Sequence, residues 1–587
     1  MADDTDAPRQ SPPNPPPSLA DLQHWTWVMG RAQQMMMEAG LEWAKAMPDT
    51  PPEPAAGATA LSKAGDFWSA GMRLWQQMLD PEQGWPGTPA SATADDKRFR
   101  ADAWHDNPYF DWVRRSYLAL SDHMLAGVDA LEGVDPAQRE RLRFATRAVV
   151  DAISPANFPG TNPEVIQRAV ETGGESLLKG LANMLADLGR GQLTHGDRTA
   201  FEVGRNLATT PGKVVYRTPL FELIHYAPTT ERVLDVPLVI FPPWINRFYI
   251  LDLTPEKSFV RWAVEQGVSV FMVSWKSAGA DSEELGWGEV SWDDYVLAQV
   301  EAVDTIRNLL GVPAVHAIGY CVAGTTLAAT LAWLAARGEG GKIASATFFT
   351  AQVDFSGAGD LKHFVDDEQL ALIGALSPEG FLDGRYMAAT FNLLRGRDLI
   401  WNYVTNNYLL GKDYAPFDLL HWNGDTTNLP ARWHLGYLTD LYRDNLLVKP
   451  GAMSVAGTPL DLTRVDTPAY VQAGREDHIA PPESVWRITE SFRGPLRFVL
   501  AGSGHIAGVV NPPAAGKYGY WTSDTPAETL DAFVASAREV RGSWWPDWMA
   551  WLRARSPGET DVSGARIPGG GTLPALEDAP GSYVRMR

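Results

Sequence analysis

The chain has 587 residues, of which 45% are hydrophobic and 21% are charged, and its formal net charge is −21. This length and ordinary globular composition predict two or three domains. The negative charge argues against nucleic acid as a partner, because a phosphate backbone would be repelled, but local Arg and Lys side chains could still line a pocket for a small anionic substrate.

The first two hundred residues are predicted to be helical after a disordered lead. Residues 1–17 are rich in proline, which predicts disorder. Residues 18–204 show helical periodicity without a strand-like run, so we predict a helical N-terminal domain there, including a helix over 162–188. A stripe of Met and Trp side chains on the first helix is more often core, and the alternative is an adhesive face for a partner or a hydrophobic surface.

From residue 205 onward, apolar strand-like runs alternate with helical segments. A hairpin is expected first, and the buried runs that follow are 237–241, 268–273, 315–318 and 344–350. This alternation is typical of a mostly parallel, doubly wound sheet, so we predict an α/β domain over 205–587. Residues 352–445 interrupt the pattern at the expected catalytic edge, which predicts a cap over the site better than a spacer.

A short motif with a nucleophile follows the third of these runs. Ile318 ends the strand, and Gly319-Tyr320-Cys321-Val322-Ala323-Gly324 leads into a predicted helix. Strand, tight turn and helix form the nucleophile elbow of the α/β-hydrolase fold, here with Cys where a lipase has Ser. The free N–H groups that open the helix can stabilise a thiolate and later an oxyanion.

Cys321 is the only cysteine in the chain, which excludes an internal disulfide and any multi-thiolate zinc site. A reducing compartment fits this composition best. A lone cysteine is often a buried structural residue, and that alternative is weakened here by the position of Cys321 at the tip of the turn.

Two further residues complete a catalytic triad in the order nucleophile, acid, His. Asp477 follows the predicted strand 468–474, and His505 follows the predicted strand 496–500. Both therefore lie at the carboxyl edge, where doubly wound sheets place catalysis. Taken alone, Asp477 could belong to a solvated turn and His505 could be a core histidine; together with Cys321 they predict a triad.

Longer motifs resemble one enzyme family. These motifs are PPWINRFYILDL (242–253), GYC (319–321), LIWNYV (399–404), FDLLHWNGD (417–425), GREDHI (474–479), GHIAG (504–508) and SWWP (543–546). On these motifs the chain is similar to class I polyhydroxyalkanoate synthases over essentially residues 205–587, and its long helical N-terminal region resembles the single-subunit class. Two positions depart from the family pattern: Ala323 replaces a Gly, and Trp244 stands where relatives often have a small residue.

The resemblance implies an acyltransferase that polymerises (R)-3-hydroxyacyl-CoA with release of CoA. Cys321 would carry the acyl chain as a thioester, His505 would act as the base and Asp477 as its acidic partner. The residues predicted to form the oxyanion hole, through their backbone N–H groups, are Val322 and either Ile245 or Asn246. No metal or cofactor is implied, because CoA is part of the substrate. The sequences of the motifs 474–479 and 504–508 are closer to those of short-chain enzymes, such as those acting on 3-hydroxybutyryl-CoA.

The resemblance also implies a homodimer at the surface of cytoplasmic polyester granules. Trp422 is either an interface aromatic or a core tryptophan. The four tryptophans of 542–552 are expected to pack in the core against the helical region, and the alternative is contact with a water-insoluble surface. The start of the chain is acidic, and no apolar run approaches the ~20 residues that span a bilayer. Alternatives to the synthase are an acyl-CoA thioesterase, an intracellular polyester depolymerase and a granule-coating protein with a vestigial triad.

Overall fold

The computed structural model describes residues 96–131, 133–279 and 285–586. Its described residues form two compact units. The first, called here the helical unit, comprises the chain up to His195 together with Ala388–Ala415, and the second, the sheet unit, comprises Gly196–Met387 and the chain from Pro416. The predicted disordered lead and the Met/Trp stripe of the first helix lie outside the described residues.

The part of the helical unit that precedes residue 196 contains five α-helices within its described residues. They are α1 (Ala103–Asp106), α2 (Pro108–Asp129), α3 (Pro136–Ala152), α4 (Pro163–Glu171) and α5 (Glu175–Arg190). The single helix predicted over 162–188 is wrong, because Gly173 and Gly174 adopt φ values of 60° and 90° and divide it into α4 and α5. Asn162 begins α4 as predicted, since its side chain accepts a hydrogen bond from the N–H of Glu164 and a proline occupies the first turn.

Part of the segment predicted as a cap groups with these helices. In Ala388–Ala415, the Arg397 guanidinium forms an ion pair with Asp151 at 2.8 Å. The Tyr408 hydroxyl donates a hydrogen bond to Asp187, also in the helical unit. These polar contacts to buried carboxylates, far away in sequence, assign the segment to the helical unit.

The sheet unit is built on one mixed sheet of eleven strands within the described residues, ordered β15-β14-β13-β12-β7-β6-β4-β5-β2-β1-β17. The described strands, six of which lie in three separate two-stranded sheets, are β1 (Gly212–Arg217), β2 (Phe221–Tyr226), β3 (Arg232–Leu234), β4 (Leu238–Phe241), β5 (Val270–Trp275), β6 (Val315–Tyr320), β7 (Ile343–Phe349), β8 (Phe381–Leu382), β9 (Leu429–Pro430), β10 (Ser454–Val455), β11 (Thr458–Pro459), β12 (Ala469–Gly474), β13 (Leu496–Ala501), β14 (Gly519–Thr522), β15 (Arg538–Arg541), β16 (Glu559–Asp561) and β17 (Glu577–Asp578). The central strands β13, β12, β7, β6, β4 and β5 are parallel, whereas the outer strands pair antiparallel, including the predicted hairpin β1–β2.

Helices cover both faces of this sheet. The remaining helices are α6 (Phe259–Glu265), α7 (Trp292–Leu310), α8 (Val322–Ala336), α9 (Asp367–Ala375), α10 (Gly384–Leu394), α11 (Asp418–Gly424), α12 (Ala431–Gly436), α13 (Pro482–Trp486), α14 (Ile488–Ser491), α15 (Leu530–Ser536) and α16 (Trp545–Arg553). One apolar core contains residues of α7 and α8, and a second contains residues of α6 and α16. The predicted α/β-hydrolase architecture is therefore confirmed, with antiparallel strands added at the edges of the sheet.

The tryptophan-rich C-terminal segment lies in the second of these cores. Trp544, Trp545 and Trp548 are fully buried, and their rings contact Phe259 of α6. Core packing is thus the correct interpretation of these tryptophans, and the core in which they lie consists of residues of the sheet unit. In the described ranges, no helix combines the length and the apolar composition that crossing a bilayer requires.

Candidate active site

Cys321 occupies a strained turn between β6 and α8. Its φ of 53° and ψ of −124° lie outside the regions that a side-chain-bearing residue normally adopts. The Cys321 N–H donates to the carbonyl of Phe349 at 2.9 Å, and its own carbonyl accepts from the N–H groups of Gly324 and Thr325 at 2.9 and 3.1 Å. This backbone geometry is that of a nucleophile elbow.

Two glycines allow the strand and the helix of the elbow to approach. A Cβ atom on Gly319 would lie 2.5 Å from the Cα of Gly324, and a Cβ on Gly324 would lie 2.4 Å from the Cβ of Ala351. Glycine is therefore required at both Gly319 and Gly324. Ala323, which departs from the family pattern, is fully buried beside them.

Asp477 and His505 meet because they follow neighbouring parallel strands. Gly474 at the end of β12 pairs with Ala501 at the end of β13. His505 Nδ1 lies 2.7 Å from Asp477 Oδ2, and the charge of Cys321 acts on the same imidazole. All three predicted triad residues are thus brought together.

The charges around His505 decide its protonation. Burial on its own lowers the pKa of an imidazole. For His505, the charges of Asp477 and Cys321 and hydrogen bonds to both outweigh burial and raise the pKa well above its ordinary value. Electrostatics therefore favour the protonated form of His505, the imidazolium.

The loop that carries His505 is fixed by aromatic residues from two other elements. The Tyr320 hydroxyl donates to the His505 carbonyl at 3.0 Å. The indole N–H groups of Trp544 and Trp545 donate to the carbonyls of Gly508 and Val509 at 2.7 and 2.9 Å. The SWWP motif thus holds the turn that carries the catalytic imidazole.

The predicted oxyanion donors lie in two segments that flank the nucleophile. Val322 begins α8, so its N–H has no acceptor within the helix. The loop after β4 passes beside the elbow, because Phe241 pairs with Gly319 in the sheet. The Asn246 N–H already donates to Thr427 Oγ1 at 3.0 Å, which leaves Ile245 as the better candidate for the second donor.

Trp422 is part of the same framework. Its indole N–H donates to the carbonyl of Arg247 at 2.7 Å, and the Asn246 side chain donates to the Trp422 carbonyl at 3.1 Å. The side chain is buried, with 6% of the residue exposed. These contacts favour the interpretation of Trp422 as a core residue that supports the loop after β4.

Sequence reasoning did not find two residues that lie electrostatically close to the nucleophile. Tyr437 and Tyr442 belong to a π-helix, Tyr437–Arg443; burial raises the pKa of both hydroxyls, and the charge of Cys321 adds to the increase. The only signal in the sequence was the aromatic composition of 352–445, which did not indicate particular side chains.

Comparison with known proteins gives a consistent result. Residues 95–263 match a family model described as the N-terminus of poly-beta-hydroxybutyrate polymerase (PhaC), and residues 236–512 match that of the alpha/beta hydrolase fold. The chain is 42% identical to the poly(3-hydroxyalkanoate) polymerase subunit PhaC of Rhizobium meliloti (strain 1021), over 95% of this chain and 94% of that protein. It is 45% identical to the poly(3-hydroxyalkanoate) polymerase of Methylorubrum extorquens, over 91% of this chain and 88% of that protein. It is 38% identical to poly(3-hydroxyalkanoate) polymerase 1 of Ectopseudomonas oleovorans, over 84% of this chain and 87% of that protein.

Proposed function

This chain belongs to the poly(3-hydroxyalkanoate) polymerases and is an acyltransferase, and we propose that it polymerises short-chain (R)-3-hydroxyacyl-CoA through a thioester on Cys321. The observation that carries the proposal is the pairing of His505 with Asp477 at 2.7 Å, together with the position of Cys321 at the strained turn that opens α8. A thiolate suits a thioester substrate, because exchange of one thioester for another is close to neutral in free energy.

The first step loads the enzyme. The Cys321 thiolate attacks the thioester carbonyl, whose oxygen becomes negative and accepts hydrogen bonds from the backbone N–H groups of Val322 and Ile245. The bond to the CoA sulfur breaks, and the imidazolium of His505 protonates the departing CoA thiolate. CoA therefore acts as the leaving group of the substrate, and the scheme requires no cofactor.

The second step forms the ester bond. A 3-hydroxyl group attacks the acyl carbonyl on Cys321 while His505 takes the hydroxyl proton. The carbon–sulfur bond breaks, an oxoester forms, and Cys321 leaves as a thiolate beside the newly protonated imidazole. Asp477 keeps Nδ1 of His505 as the donor, so that Nε2 can exchange the proton in both steps.

The test is the reaction of the purified chain with (R)-3-hydroxybutyryl-CoA. We expect free CoA and insoluble polyester, and we expect Cys321→Ala to stop both. Equimolar CoA and free hydroxy acid without polymer would identify a thioesterase. Soluble monomer released from added amorphous polyester would identify a depolymerase, and no turnover of either substrate would favour the non-catalytic granule-coating protein.

Substrate length and assembly are part of the same proposal. A panel of 3-hydroxyacyl-CoA thioesters of increasing length should give the highest polymer yield per CoA with the short-chain members.

We further propose that the enzyme is a homodimer that works on the surface of the polyester it makes. In the helical unit, Leu178 and Leu185 of α5 are 71% and 56% exposed, and such apolar side chains favour contact with a hydrophobic surface. Replacing both with Gln should lower the fraction of enzyme that sediments with the polymer. Sedimentation equilibrium of the purified enzyme should give the mass of a dimer.

A further inference from the structure

The hydroxyl of Thr427 makes two bonds to the loop that follows β4. Thr427 lies between α11 and β9, and only 6% of the residue is exposed. Its hydroxyl donates to the carbonyl of Trp244 at 2.6 Å and accepts from the N–H of Asn246 at 3.0 Å. One side chain therefore bonds the residues on both sides of Ile245, the candidate for the second oxyanion donor.

The bond to the Trp244 carbonyl sets the direction of the Ile245 N–H. This carbonyl and this N–H belong to one planar trans peptide unit, in which the C=O and the N–H point in opposite directions. Holding the carbonyl oxygen at Thr427 therefore aims the N–H of Ile245 away from Thr427. Among the described residues this N–H has no acceptor, so it is available to a substrate.

The second bond of Thr427 occupies the competing donor. Asn246 has a φ of 72°, in the left-handed region that residues with a side chain rarely adopt. Its side-chain amide donates to the carbonyls of Trp422 and Asn423 at 3.1 and 3.0 Å, and its N–H donates to Thr427. These three bonds hold the residue in its strained conformation. The loop therefore presents the N–H of Ile245 to a substrate and not that of Asn246.

Helix α7 holds this loop beside the elbow. Tyr295 and Gln299 lie one turn apart on the same face of α7. The ring of Tyr295 stacks on that of Trp244, with the centroids 3.8 Å apart and the planes 7° apart. The side-chain amide of Gln299 donates to the carbonyl of Ala323, in the first turn of α8, at 3.1 Å. The residue before one expected donor and the residue after the other are thus held by a single turn of one helix.

We propose that Thr427 is a positioning residue of the oxyanion hole, whose hydroxyl fixes the peptide unit before Ile245 and so directs the Ile245 N–H at the oxygen of the acyl group; the inference rests on the polymerase function proposed above. When the Cys321 thiolate attacks the thioester carbon, one electron pair of the C=O bond moves to the oxygen. The N–H of Ile245 stabilises the resulting negative charge. Thr427 acts through this N–H and does not itself contact the substrate.

This role predicts an effect on acyl transfer and not on the reactivity of the thiol. An oxyanion forms when Cys321 is loaded, and another forms when the 3-hydroxyl group attacks the acyl-enzyme, so loss of the Thr427 hydroxyl should slow both steps. Alkylation of Cys321 by iodoacetamide is a displacement at a saturated carbon and forms no oxyanion. Its rate depends on the thiolate and should be unchanged. Comparison of the two reactions therefore separates the oxyanion hole from the triad.

The test compares Thr427→Val with wild type on (R)-3-hydroxybutyryl-CoA. Val removes the hydroxyl and keeps the branched shape of the side chain. The rate of the rapid-quench burst of CoA measures loading, and steady-state release of CoA gives kcat and KM. We expect loading and kcat to fall by about 10- to 100-fold, since outright removal of an oxyanion donor costs about 10²- to 10³-fold and a misdirected donor costs less. KM should change by less than about threefold, because the interaction is made in the transition state, and the labelling rate with iodoacetamide should stay within about twofold of wild type.

Two further variants serve as controls. Thr427→Ser keeps the hydroxyl and should load within about threefold of wild type. Thr230→Val is the matched substitution outside the site, because the Thr230 hydroxyl also donates to a backbone carbonyl, that of Arg232, at 2.7 Å. Thr230 lies beside Gly267, which precedes β5, and so at the edge of the sheet opposite to the site. This variant should load and label like wild type.

A Thr427→Val variant that loads at the wild-type rate would overturn the proposal. A labelling rate that falls in step with loading, or a Thr427→Ser variant as slow as Thr427→Val, would overturn it as well. A wild-type enzyme that releases CoA with free hydroxy acid and no polymer would instead overturn the polymerase function. The loading comparison would still test Thr427 in that case, because loading of a thioesterase also passes through an oxyanion.

Discussion

Asp477→Asn should remove the negative charge beside His505 without changing the size of the side chain at position 477. The Asp477 carboxylate is fully buried, with a side-chain exposure of 0%, and it accepts from His505 Nδ1 at 2.7 Å. Its other oxygen accepts from the N–H groups of Ile479 and Ala480 at 2.8 and 2.9 Å. An Asn that keeps these two backbone bonds turns its NH₂ toward His505, which must then use Nδ1 as an acceptor and adopts the wrong tautomer for catalysis.

The size of the effect follows from the bond that is lost. A hydrogen bond to a charged group is worth about 1.5–3 kcal/mol, which corresponds to about 10- to 150-fold in an equilibrium or a rate. Because Asp477 and Cys321 raise the pKa of His505, the imidazolium is present below that raised pKa and is lost as the pH rises through it. In the Asn variant this loss shifts to lower pH, so less of the imidazolium–thiolate pair remains at pH 7.

Alkylation by iodoacetamide measures this pair directly. Cys321 is the only cysteine of the chain, so the labelled mass reports on one thiol. We expect Asp477→Asn to lower the labelling rate at pH 7 by about 10- to 150-fold. The matched control is Glu476→Gln, which removes the neighbouring exposed carboxylate and should label like wild type. An Asn variant that labels within about twofold of wild type would show that Asp477 does not sustain the charge on His505.

Three further predictions concern the framework, each measured by urea denaturation. Gly324→Ala should destabilise the sheet unit by about 1–3 kcal/mol, since the added Cβ would lie 2.4 Å from that of Ala351, and an unchanged midpoint would show that the elbow can open. Burial lowers the pKa of His225 to about 3. Below pH 6.5 the unfolded chain therefore protonates this histidine while the folded chain does not, so the free energy of unfolding falls as the pH falls. His225→Leu should therefore lose about 2 kcal/mol less between pH 7 and pH 5 than wild type does, and equal losses would contradict this. Trp422→Phe should cost about 1 kcal/mol by removing the bond to the Arg247 carbonyl, whereas a weakened oligomer with unchanged unfolding would favour the interface interpretation.

The positions of the candidate triad could be predicted because each depends on a local pattern. An apolar strand followed by a tight turn places a side chain at the edge of the sheet, whichever helices surround it. Cys321, Asp477 and His505 each follow such a strand, so their order and positions were enough to predict that they meet. Once β12 and β13 pair in parallel, Asp477 and His505 are neighbours.

Other features could not be predicted, because they depend on which distant residue fills each hydrogen-bonding position. The sequence allowed Asn246 as an oxyanion donor, but in the structure its N–H donates to the hydroxyl of Thr427, which lies far along the chain. The same holds for the tryptophans of 542–552, for which the sequence favoured a core position but did not identify their partners. In the structure the indole N–H groups of Trp544 and Trp545 donate to the carbonyls of Gly508 and Val509.

The sequence by itself determined the fold class, the elbow and the triad, because strand periodicity and turn chemistry act over a few consecutive residues. Only the tertiary structure decided that Ala388–Ala415 groups with the helices and that Tyr442 lies within electrostatic reach of Cys321. Both depend on contacts between side chains separated by a hundred residues or more in the chain. The periodicity of either segment carries no information about such a partner, since it reports only which face of an element is apolar.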